Sequence, residues 1–472
     1  MDPATYMSTT HAAAVTGAAF LAALRAALPD VRLLTDRADT ASYRFDETEY
    51  THPGWPLGVA LAASTAEVAT IVRLAAEHRT PIVPRGAGTG LSGGAIAVEG
   101  ALTLVLTRMD RILEIDTANL VATVQPGVIN ADLGKAAAEH GLFYAPDPAS
   151  FETCTIGGNL AENSGGLRCV KYGVTRDAVL GLEVVLADGT VIRTGGKNVK
   201  DVAGYDLTHL FIGSEGTLGV ITEATLRLRP APPPKLTLLA FFASVRAAGD
   251  AVTRITEAGI VPVTLELMDA FTIRAVDEAQ HLGLDRDAGA MLMIESDAGG
   301  TAAEDELDRA EGACRDAGAT SLVRAADPTE ADWLREARRK AHWSLEQAGV
   351  ARMDDVGVPR SRVPEMLAAI ERISAEHDLP VGVFGHAGDG NLHPTFVVDR
   401  EDPTAEERIN AARGRIYEAA IALGGTITGE HGTGTAKRAW LEAQRGPDAV
   451  RVMRAVKAAL DPLGILNPGK VL

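Results

Sequence analysis

The chain has 472 residues, of which 46% are hydrophobic and 23% charged. It is too long for one ordinary core and has the composition of a folded globular protein, so we expect two or three domains. The formal net charge of −18 argues against nucleic acid or an anionic membrane surface as the main partner. Cys154, Cys169 and Cys314 form no CxxC pair, which predicts no disulfide framework and a reducing compartment, the cytoplasm.

The N-terminal region contains a short alanine-rich stretch, Ala12 to Leu28. Asp2 but no Lys or Arg precedes it, and Thr16 and Arg25 interrupt it, so it fits neither a signal peptide nor a membrane span. We expect a surface helix here. Since no other stretch is long and apolar enough to cross a bilayer, the sequence predicts a soluble protein.

A glycine-rich loop, Pro84 to Ala95, follows a capped helix predicted over Ser64 to His78 and a short strand. Gly88, Gly90 and Gly93 match GxGxxG, but the chain continues into a strand-like run, not a helix, so the dinucleotide fingerprint lacks its context. A Walker loop fails as well, since no Gly-Lys-Ser/Thr follows. The pattern favours a diphosphate-binding turn between strands; a glycine-rich surface loop is the alternative.

Two features complete the first half of the chain. The segment Pro146 to Gly173 is long, rich in Gly, Asn and Ser, and has little periodicity. Such segments are usually functional or disordered, and its embedded apolar residues argue against disorder. An Asp-Gly hairpin follows from Gly181 to Thr194.

The run Ala231 to Pro234 breaks the chain, and we place a domain boundary there. Beyond it, Leu236 to Phe242 and Ala290 to Glu295 are typical of strands, whereas Ala247 to Ala258 and Thr301 to Ala317 are typical of helices. This alternation predicts a sheet with helices packed on one face, an α+β architecture.

A second hairpin is predicted over Val381 to Asp399, with Asp389-Gly390 as its two-residue turn. That turn would place His386 opposite His393, with Cβ atoms about 4.5–5.5 Å apart. Two imidazoles at this spacing could converge on one cation, although two histidines on a half-exposed hairpin are an equal alternative. A third ligand is needed, and Glu430 in GEHGTG is the best supplier, with His431 beside it as a base.

Six stretches occurring in one order resemble a known family: PRGAGTGLSGGA, DPASFETCTIGGNLAENSGG, HLFIGSEGTLGVITEATLRLRP, GHAGDGNLHP, GEHGTG and LNPGK. They resemble the FAD-linked D-2-hydroxy-acid dehydrogenases of the vanillyl-alcohol-oxidase type, a group that includes the flavin subunit of glycolate oxidase and D-lactate dehydrogenases. The resemblance implies an FAD-binding domain of two subdomains over residues 1–230 and an α+β cap domain for the substrate over 231–424. A C-terminal segment, 425–472, would return to the flavin.

The resemblance also implies which residues line the cofactor. The FAD-binding positions would be Pro84, Arg85, Gly86, Ala87, Gly88, Thr89, Gly90, Ser92, Pro146, Asp147, Gly157, Gly158, Asn159, Ser164, Gly165, Val220, Ile221 and Asn467. Some flavoenzymes of this type bond FAD through a histidine in the glycine-rich loop. Here Thr89 stands in the corresponding stretch and the loop has no histidine, so we expect non-covalent FAD.

The family's divalent metal ligands correspond to His386, His393 and Glu430, and its base to His431. Zinc is the metal most often assigned, although manganese and ferrous iron tolerate the same ligands. A helix predicted over Asp327 to Ala348 carries Arg335, which resembles the family's arginine for the substrate carboxylate. The alternative is that Arg335 belongs to a solvated run of basic residues.

The activity implied is oxidation of a D-2-hydroxy acid by hydride transfer to the flavin. Met353 stands where relatives that act on D-2-hydroxyglutarate carry a basic residue, so D-lactate or glycolate is favoured. Three alternatives stay open: a D-2-hydroxyglutarate dehydrogenase, a flavin-binding subunit of a multi-subunit glycolate oxidase, and a hydrolytic metal site without flavin. A quinone, a cytochrome or an electron-transfer protein would accept the electrons, and a homodimer, partner subunits or attachment to a membrane through a partner are all compatible with the sequence.

Overall fold

The computed structural model describes residues 17–48 and 52–472. The first part of the predicted helix Ala12 to Leu28 lies outside the described residues. Its remainder forms helix α1 (residues 17–27). Phe20 and Leu24 of α1 are buried in the core of the first sheet, so this helix is amphipathic and covers a sheet.

The first sheet carries the glycine-rich loop. Strands β2, β4 and β3 run parallel in that order, and β1 pairs antiparallel with β2. The loop leaves β3 and enters β4 with no helix between them, as predicted. The capped helix is also confirmed, since the Ser64 side chain accepts from the Glu67 amide at 3.3 Å. The elements are β1 (Arg32–Leu34), α2 (Arg37–Thr40), β2 (Gly58–Leu61), α3 (Thr65–His78), β3 (Ile82–Arg85) and β4 (Leu102–Val105).

The second sheet has five antiparallel strands in the order β5-β6-β10-β8-β9, and β7 pairs separately with β11. The Asp-Gly hairpin is confirmed as β8 and β9. The long segment before it is ordered around two short helices, because its apolar residues pack beneath the sheet. The elements are β5 (Ile112–Asp116), β6 (Val121–Val124), α4 (Asn130–Ala138), β7 (Leu142–Phe143), α5 (Ile156–Glu162), α6 (Cys169–Tyr172), β8 (Val179–Val185), β9 (Val191–Gly195), α7 (Thr208–Phe211), β10 (Val220–Arg227) and β11 (Arg229–Pro230).

The third sheet belongs to the second half of the chain. Its strand order is β15-β12-β14-β13-β18-β19-β16, and β17 also pairs with β19. The elements are β12 (Leu236–Phe242), α8 (Val245–Glu257), β13 (Thr264–Asp269), α9 (Ala270–Gln280), β14 (Ala290–Ser296), α10 (Gly300–Asp316), β15 (Ala319–Arg324), α11 (Pro328–Arg339), α12 (Ala341–Ala348), β16 (Val350–Met353), β17 (Val356–Gly357), α13 (Val363–Glu376), β18 (Val381–His386), β19 (Asn391–Val398) and α14 (Ala405–Ala422).

Helices cover both faces of this sheet, so the prediction of helices on one face is wrong. One core contains α8, α10, α13 and α14, and the other contains α9, α11 and α12. Strand β12 shows the reason, since Leu238 and Ala240 point into the first core and Leu239 and Phe241 into the second. A strand buried on both faces has a continuous apolar run in place of an alternating pattern.

The helix predicted over Asp327 to Ala348 is broken at Lys340, where α11 ends and α12 begins. Lys340 has φ −85° and ψ 10°, which lies outside the α-helical region. Neither Gly nor Pro marks the break, so the sequence pattern did not reveal it. The three arginines of the predicted helix therefore all lie on α11, and Lys340 stands at the break.

The C-terminal tail returns to the first sheet after α15 (Leu441–Arg445) and α16 (Pro447–Leu460). Leu466 forms a parallel bridge with Ile82 and is fully buried in the first core. The Asn467 amide donates to the Ile82 carbonyl at 2.8 Å. The tail thus extends the sheet that carries the glycine-rich loop. The domain boundaries at residues 230 and 424 stay predictions.

Candidate active site

A first cavity lies against the glycine-rich loop. Its walls come from that loop, from the segment around α5, and from the turn and strand that follow α7. The predicted cofactor residues that line it are Pro84, Arg85, Gly86, Ala87, Gly88, Thr89, Gly90, Gly157, Gly158, Asn159, Ser164, Val220 and Ile221. Lining residues that the sequence did not single out are Gly94, Ala95, Leu106, Pro126, Ser150, Cys154, Thr155, Ala161, Glu162, Ser214, Glu215, Gly216 and Gly219.

The glycines of this cavity are required by close packing. A Cβ added at Gly157 would lie 2.6 Å from Cβ of Pro126, and one at Gly86 would collide with Oγ1 of Thr155. Gly88 has φ +83°, a conformation that side chains rarely adopt. Backbone therefore forms much of the wall, and its N–H groups can approach a bound anion closely.

Asp147 and Gly165 were predicted to line the cofactor but do not line the first cavity. Oδ2 of Asp147 is 3.1 Å from Nε of Arg168 and 3.0 Å from Nη2 of Arg339. Asp147 therefore joins the segment before α5 to helix α11 of the other half of the molecule. Gly165 lies at the metal cluster, where an added Cβ would collide with the carboxylate of Glu430.

Ser92, Pro146 and Asn467 are also absent from the first cavity wall and support it from behind. The Ser92 carbonyl accepts from the Thr435 amide at 3.0 Å. The Pro146 carbonyl accepts from Nδ2 of Asn130 at 3.3 Å. Nδ2 of Asn467 donates to the Gly94 carbonyl at 2.9 Å. These three residues fix the loops that form the wall.

Three side chains at the third sheet could hold a divalent cation: His386, His393 and Glu430. Their candidate ligand atoms lie within 4.8 Å of one another. Nε2 of His386 and Nε2 of His393 are each 3.3 Å from Oε1 of Glu430. Both histidines are buried. Two imidazoles and one carboxylate that converge from different elements, with room for further ligands, suit a divalent transition metal.

The register of the hairpin differs from the prediction. His386 pairs with Asn391, and His393 pairs with Phe384, so four residues connect the strands where two were predicted. The register is shifted by two positions, which leaves both histidines on the same face because side chains alternate with a period of two. The predicted opposition of His386 and His393 is wrong, but their convergence is observed.

Two buried carboxylates, neither of which was predicted from the sequence, hold the cluster from behind. Oε1 of Glu266 lies 2.8 Å from Nδ1 of His386. Oδ2 of Asp355 accepts from the amides of Gly429, Glu430 and His431 at 2.7, 3.1 and 3.1 Å. A carboxylate on the far nitrogen of a ligand histidine fixes the tautomer that leaves the other nitrogen free for metal. For Glu266, the sequence offered one signal of a functional role, an acidic residue inside the otherwise apolar strand TLELMD.

Burial and neighbouring charges shift the pKa values of the residues at the metal cluster. Burial opposes ionisation, but Glu266 and Glu430 raise the pKa of His386 well above its usual value. Burial also opposes the ionised form of Asp355, yet His431 and Lys437 hold the pKa of Asp355 below its usual value. Burial lowers the pKa of His431 to about 4, so this imidazole is neutral at pH 7. The ring of His431 stacks on that of His393, with centroids 5.1 Å apart.

A second cavity opens beside the metal cluster. Its lining residues are Glu47, Thr89, Gly90, Leu91, Pro148, Ala149, Ser150, Thr153, Glu162, Ser164, Gly165, Leu167, Arg338, Arg339, Lys340, His342, Trp343, Glu346, Met353, Phe384, His386, His393, Glu430 and His431. Thr89, Gly90, Ser150, Glu162 and Ser164 line the first cavity as well. The two cavities therefore meet, and the metal cluster faces the place where they join.

Arg338 and Arg339 of α11 line the second cavity, whereas Arg335 does not. Nη2 of Arg338 lies 2.6 Å from Oε2 of Glu266, yet its Nε has no hydrogen-bond acceptor among the residues that the structure describes. Arg335 is paired elsewhere: its Nε is 3.0 Å from Oε1 of Glu295 and its Nη1 contacts Asp332. This placement does not favour the substrate role predicted for Arg335. Both arginines lie on one helix, so the sequence could not tell which of them faces the site.

Comparison with known proteins shows that a chain with this fold and these two joined cavities is an FAD-linked oxidoreductase. Residues 56–195 match the family described as "FAD binding domain". Residues 231–471 match "FAD linked oxidases, C-terminal domain". The chain belongs to the FAD-linked oxidase family, and this membership disfavours a hydrolytic site without flavin.

Curated relatives cover nearly the whole chain. Glycolate oxidase subunit GlcD of Bacillus subtilis is 48% identical over 430 residues, which is 91% of this chain and 91% of the relative. GlcD of Escherichia coli is 41% identical over 456 residues, covering 95% and 90%. A D-lactate dehydrogenase of Anaerostipes hadrus is 37% identical over 429 residues, covering 87% and 88%.

Solved structures share the fold. A p-cresol methylhydroxylase with substrate bound superposes with a TM-score of 0.80 at 18% identity, covering 97% of this chain and 96% of the other. An alkyldihydroxyacetonephosphate synthase gives 0.73 at 21% identity, covering 95% and 85%. These likenesses confirm the predicted fold class. Among the described residues, no helix combines the length and the apolar character needed to cross a bilayer.

Proposed function

We propose that this protein uses FAD to oxidise a small D-2-hydroxy monoacid to the 2-oxo acid, with D-lactate or glycolate as the favoured substrate. The observation that carries the proposal is the junction of the two cavities at Thr89, Gly90 and Glu162. A substrate held beside the metal cluster would have its C2 carbon directed at the cofactor cavity. The printed activities of the relatives, glycolate oxidase subunit and D-lactate dehydrogenase, support the same substrate class.

The cofactors would be non-covalent FAD in the first cavity and a divalent metal at His386, His393 and Glu430, zinc being the first choice. When bound, FAD supplies the hydride acceptor and the cation supplies Lewis acidity toward the substrate hydroxyl. The backbone wall at Gly86 to Gly90 suits the diphosphate. Denaturation followed by separation of protein from supernatant tests the non-covalent assignment, since free FAD should leave with the supernatant.

His431 is the proposed base. Oxidation removes a hydride from C2 and a proton from the hydroxyl, and a side chain must take that proton. Because the pKa of His431 is lowered to about 4 by burial, its imidazole is unprotonated at pH 7 and can accept one. So weak a base needs a hydroxyl of raised acidity, which agrees with a cation at the adjacent Glu430. The stack of His431 on His393 and the Asp355 bond to its amide hold the ring in place.

Arg338 is the proposed partner of the substrate carboxylate. It lines the second cavity, its Nε lacks an acceptor, and its guanidinium lies 4.8 Å above the Phe384 ring. Burial beside Glu266 keeps the side chain in one orientation. A carboxylate that reached its free N–H donors would gain charge-assisted hydrogen bonds. Glu266 would then serve both Arg338 and His386, which links carboxylate binding to the metal cluster.

Met353 and Phe384 support the preference for a monoacid. Both line the second cavity, and neither offers a cation to a second carboxylate. Lys340 lines the same cavity with its side chain half exposed, and it supports D-2-hydroxyglutarate as the second candidate substrate. The electron acceptor would be a quinone, a cytochrome or an electron-transfer protein. The word subunit in the names of the glycolate oxidase relatives supports partner subunits, and a homodimer is the alternative.

The test is the visible spectrum of the purified protein under anaerobic conditions, before and after each substrate. Bleaching of flavin bands by D-lactate or glycolate, but not by L-lactate, is the expected result. Repeating the experiment after chelation tests the metal, since bleaching should then slow and recover when the metal is restored. Flavin bands that none of the 2-hydroxy acids bleaches would reject the proposed substrate class.

A further inference from the structure

The turn between α7 and β10 holds a non-glycine residue in an unfavourable backbone conformation. Glu215 has φ +51°, and Gly213 and Gly216 on either side have φ +72° and +68°. Backbone contacts fix it there: the Glu215 amide donates to the Ala161 carbonyl at 2.9 Å, and its carbonyl accepts from Nδ2 of Asn467 at 2.7 Å. Strain of this kind persists only where the surroundings enforce it, and it concentrates at functional sites.

The side chain of Glu215 reaches the loop that carries Glu430 and His431. It is buried, and its Oε1 accepts from the Thr433 amide at 2.7 Å while its Oε2 accepts from the Gly434 amide at 2.8 Å. Two charge-assisted bonds to successive amides fix both the position and the orientation of a loop. Glu215 therefore links the loop of Glu430 and His431 directly to the wall of the cofactor cavity.

The same turn forms part of the cofactor wall, because Ser214, Glu215 and Gly216 line the first cavity. The loop that carries Glu430 and His431 also packs closely against Glu215. A Cβ added at Gly432 would lie 3.1 Å from Oε1 of Glu215 and would collide with the neighbouring Glu162 carboxylate. One carboxylate thus contacts the loop of the proposed base and belongs to the wall that receives the flavin.

The groups facing Glu215 act on its ionisation in opposite directions. Glu162 and Asp46 are acidic neighbours, and Lys470 is the basic one. Burial raises the pKa of Glu215 to about 7, and the two amides and Lys470 oppose the rise. A Gln side chain could not reproduce both bonds, since the two amides bind different oxygens of Glu215 and the NH2 group of Gln would face one of these N–H donors.

We propose that Glu215 is a positioning residue that fixes the loop of Glu430 and His431 against the cofactor cavity, so that binding of flavin orders this loop. The roles given to Glu430 and His431 rest on the proposed function. The structural connection between the cofactor wall and this loop does not rest on the proposed function, because it depends only on the contacts of Glu215. A loop that flavin binding orders is already in place when the substrate binds, so the flavin site and the substrate site are coupled.

Amide hydrogen exchange tests the link. A peptide spanning residues 429–436 is followed in the FAD-loaded and the FAD-stripped protein, for the wild type and for Glu215→Gln. In the wild type, FAD should slow exchange of the Thr433 and Gly434 amides about tenfold, the size expected for one charge-assisted hydrogen bond. In Glu215→Gln these amides should exchange about tenfold faster than in the loaded wild type, with little response to FAD. Glu223→Gln, an equivalent change in an ion pair with Arg193, is the matched control and should behave as the wild type.

Catalysis gives the second readout. In Glu215→Gln the flavin should bleach about tenfold more slowly with substrate while the substrate concentration for half-maximal rate stays unchanged, because the base is displaced and the carboxylate partner is not. Unchanged exchange in Glu215→Gln would overturn the proposal, and so would equal exchange in the wild type with and without FAD. If the variant fails to fold, which a peptide from β19 would reveal, the wild-type comparison still decides. A protein whose flavin no 2-hydroxy acid bleaches would reject the proposed function and leave the exchange result standing.

Discussion

Replacing Arg335 by Gln should destabilise the protein and leave substrate affinity unchanged. The guanidinium is bound to Glu295, whose side chain is fully buried and also accepts from Lys235 at 3.1 Å and from Thr264 at 2.7 Å. Burial opposes its ionisation, but Lys235 and Arg335 lower the pKa of Glu295 from 4.5 to about 2. A shift of that size corresponds to about 3 kcal/mol at neutral pH. Breaking one partner from a buried ion pair costs a similar amount, about 3–5 kcal/mol.

The sign of the pH dependence follows from the depressed pKa. The contribution of ionised Glu295 is fully present above pH 4.5 and is lost as the pH falls toward about 2. The stability difference between the wild type and Arg335→Gln should therefore be largest near pH 7 and shrink below pH 4.5. Urea unfolding followed by circular dichroism at pH 7 and at pH 4 measures it.

The neutral double variant, Glu295→Gln with Arg335→Gln, is the control, and it should recover part of the lost stability because no charge is left unpaired. Steady-state kinetics on the single variant provide the decisive comparison. A tenfold rise in KM for the 2-hydroxy acid with unchanged stability would refute this reasoning and restore Arg335 as the carboxylate-binding residue.

Three further predictions concern the site. Arg338→Met should raise KM for the 2-hydroxy acid about 30- to 100-fold, the loss expected for a charge-assisted hydrogen bond, with FAD content unchanged by absorbance; an unaltered KM would contradict its assignment. His393→Ala should lower the bound divalent metal, measured by elemental analysis, from one equivalent to a small fraction while FAD is retained, because the first cavity has no contact with this ring. Met353→Lys should shift kcat/KM toward D-2-hydroxyglutarate relative to D-lactate by about tenfold or more, and an unchanged ratio would show that the second carboxylate does not lie there.

The hairpin of β18 and β19 shows which features of the site the sequence could predict. The alternation of side chains placed His386 and His393 on one face, and this survived an error in the turn, because the register moved by two positions. Glu430 could be suggested as a third ligand from its residue type and supported by the resemblance, but nothing local in the sequence relates residue 430 to residue 386. The periodicity of a sequence cannot predict contacts between segments that lie far apart along the chain.

The remaining site residues were hidden for the same reason. Glu266 and Asp355 act through partners more than a hundred and about seventy positions away. Only the acidic character of Glu266 inside an apolar strand was visible beforehand, and Asp355 lies between β16 and β17 without such a signal. Arg335 and Arg338 share helix α11, and only the packing of that helix against the third sheet decides which of them lines the cavity. Burial of the third sheet on both faces was visible in its uninterrupted apolar strands, although helices had been predicted on one face.

The return of the tail to the first sheet has a consequence for the order of synthesis. Asn467 bonds to the Gly94 carbonyl across 373 positions of sequence, and Leu466 supplies a fully buried side chain beside Ile82. At about 5–20 residues per second, a ribosome needs roughly 20 to 75 seconds to connect these two points. Throughout that interval the first sheet has emerged with one edge uncovered and its glycine-rich loop unsupported. The nascent chain therefore presents an open strand edge to chaperones long before it can bind its cofactor.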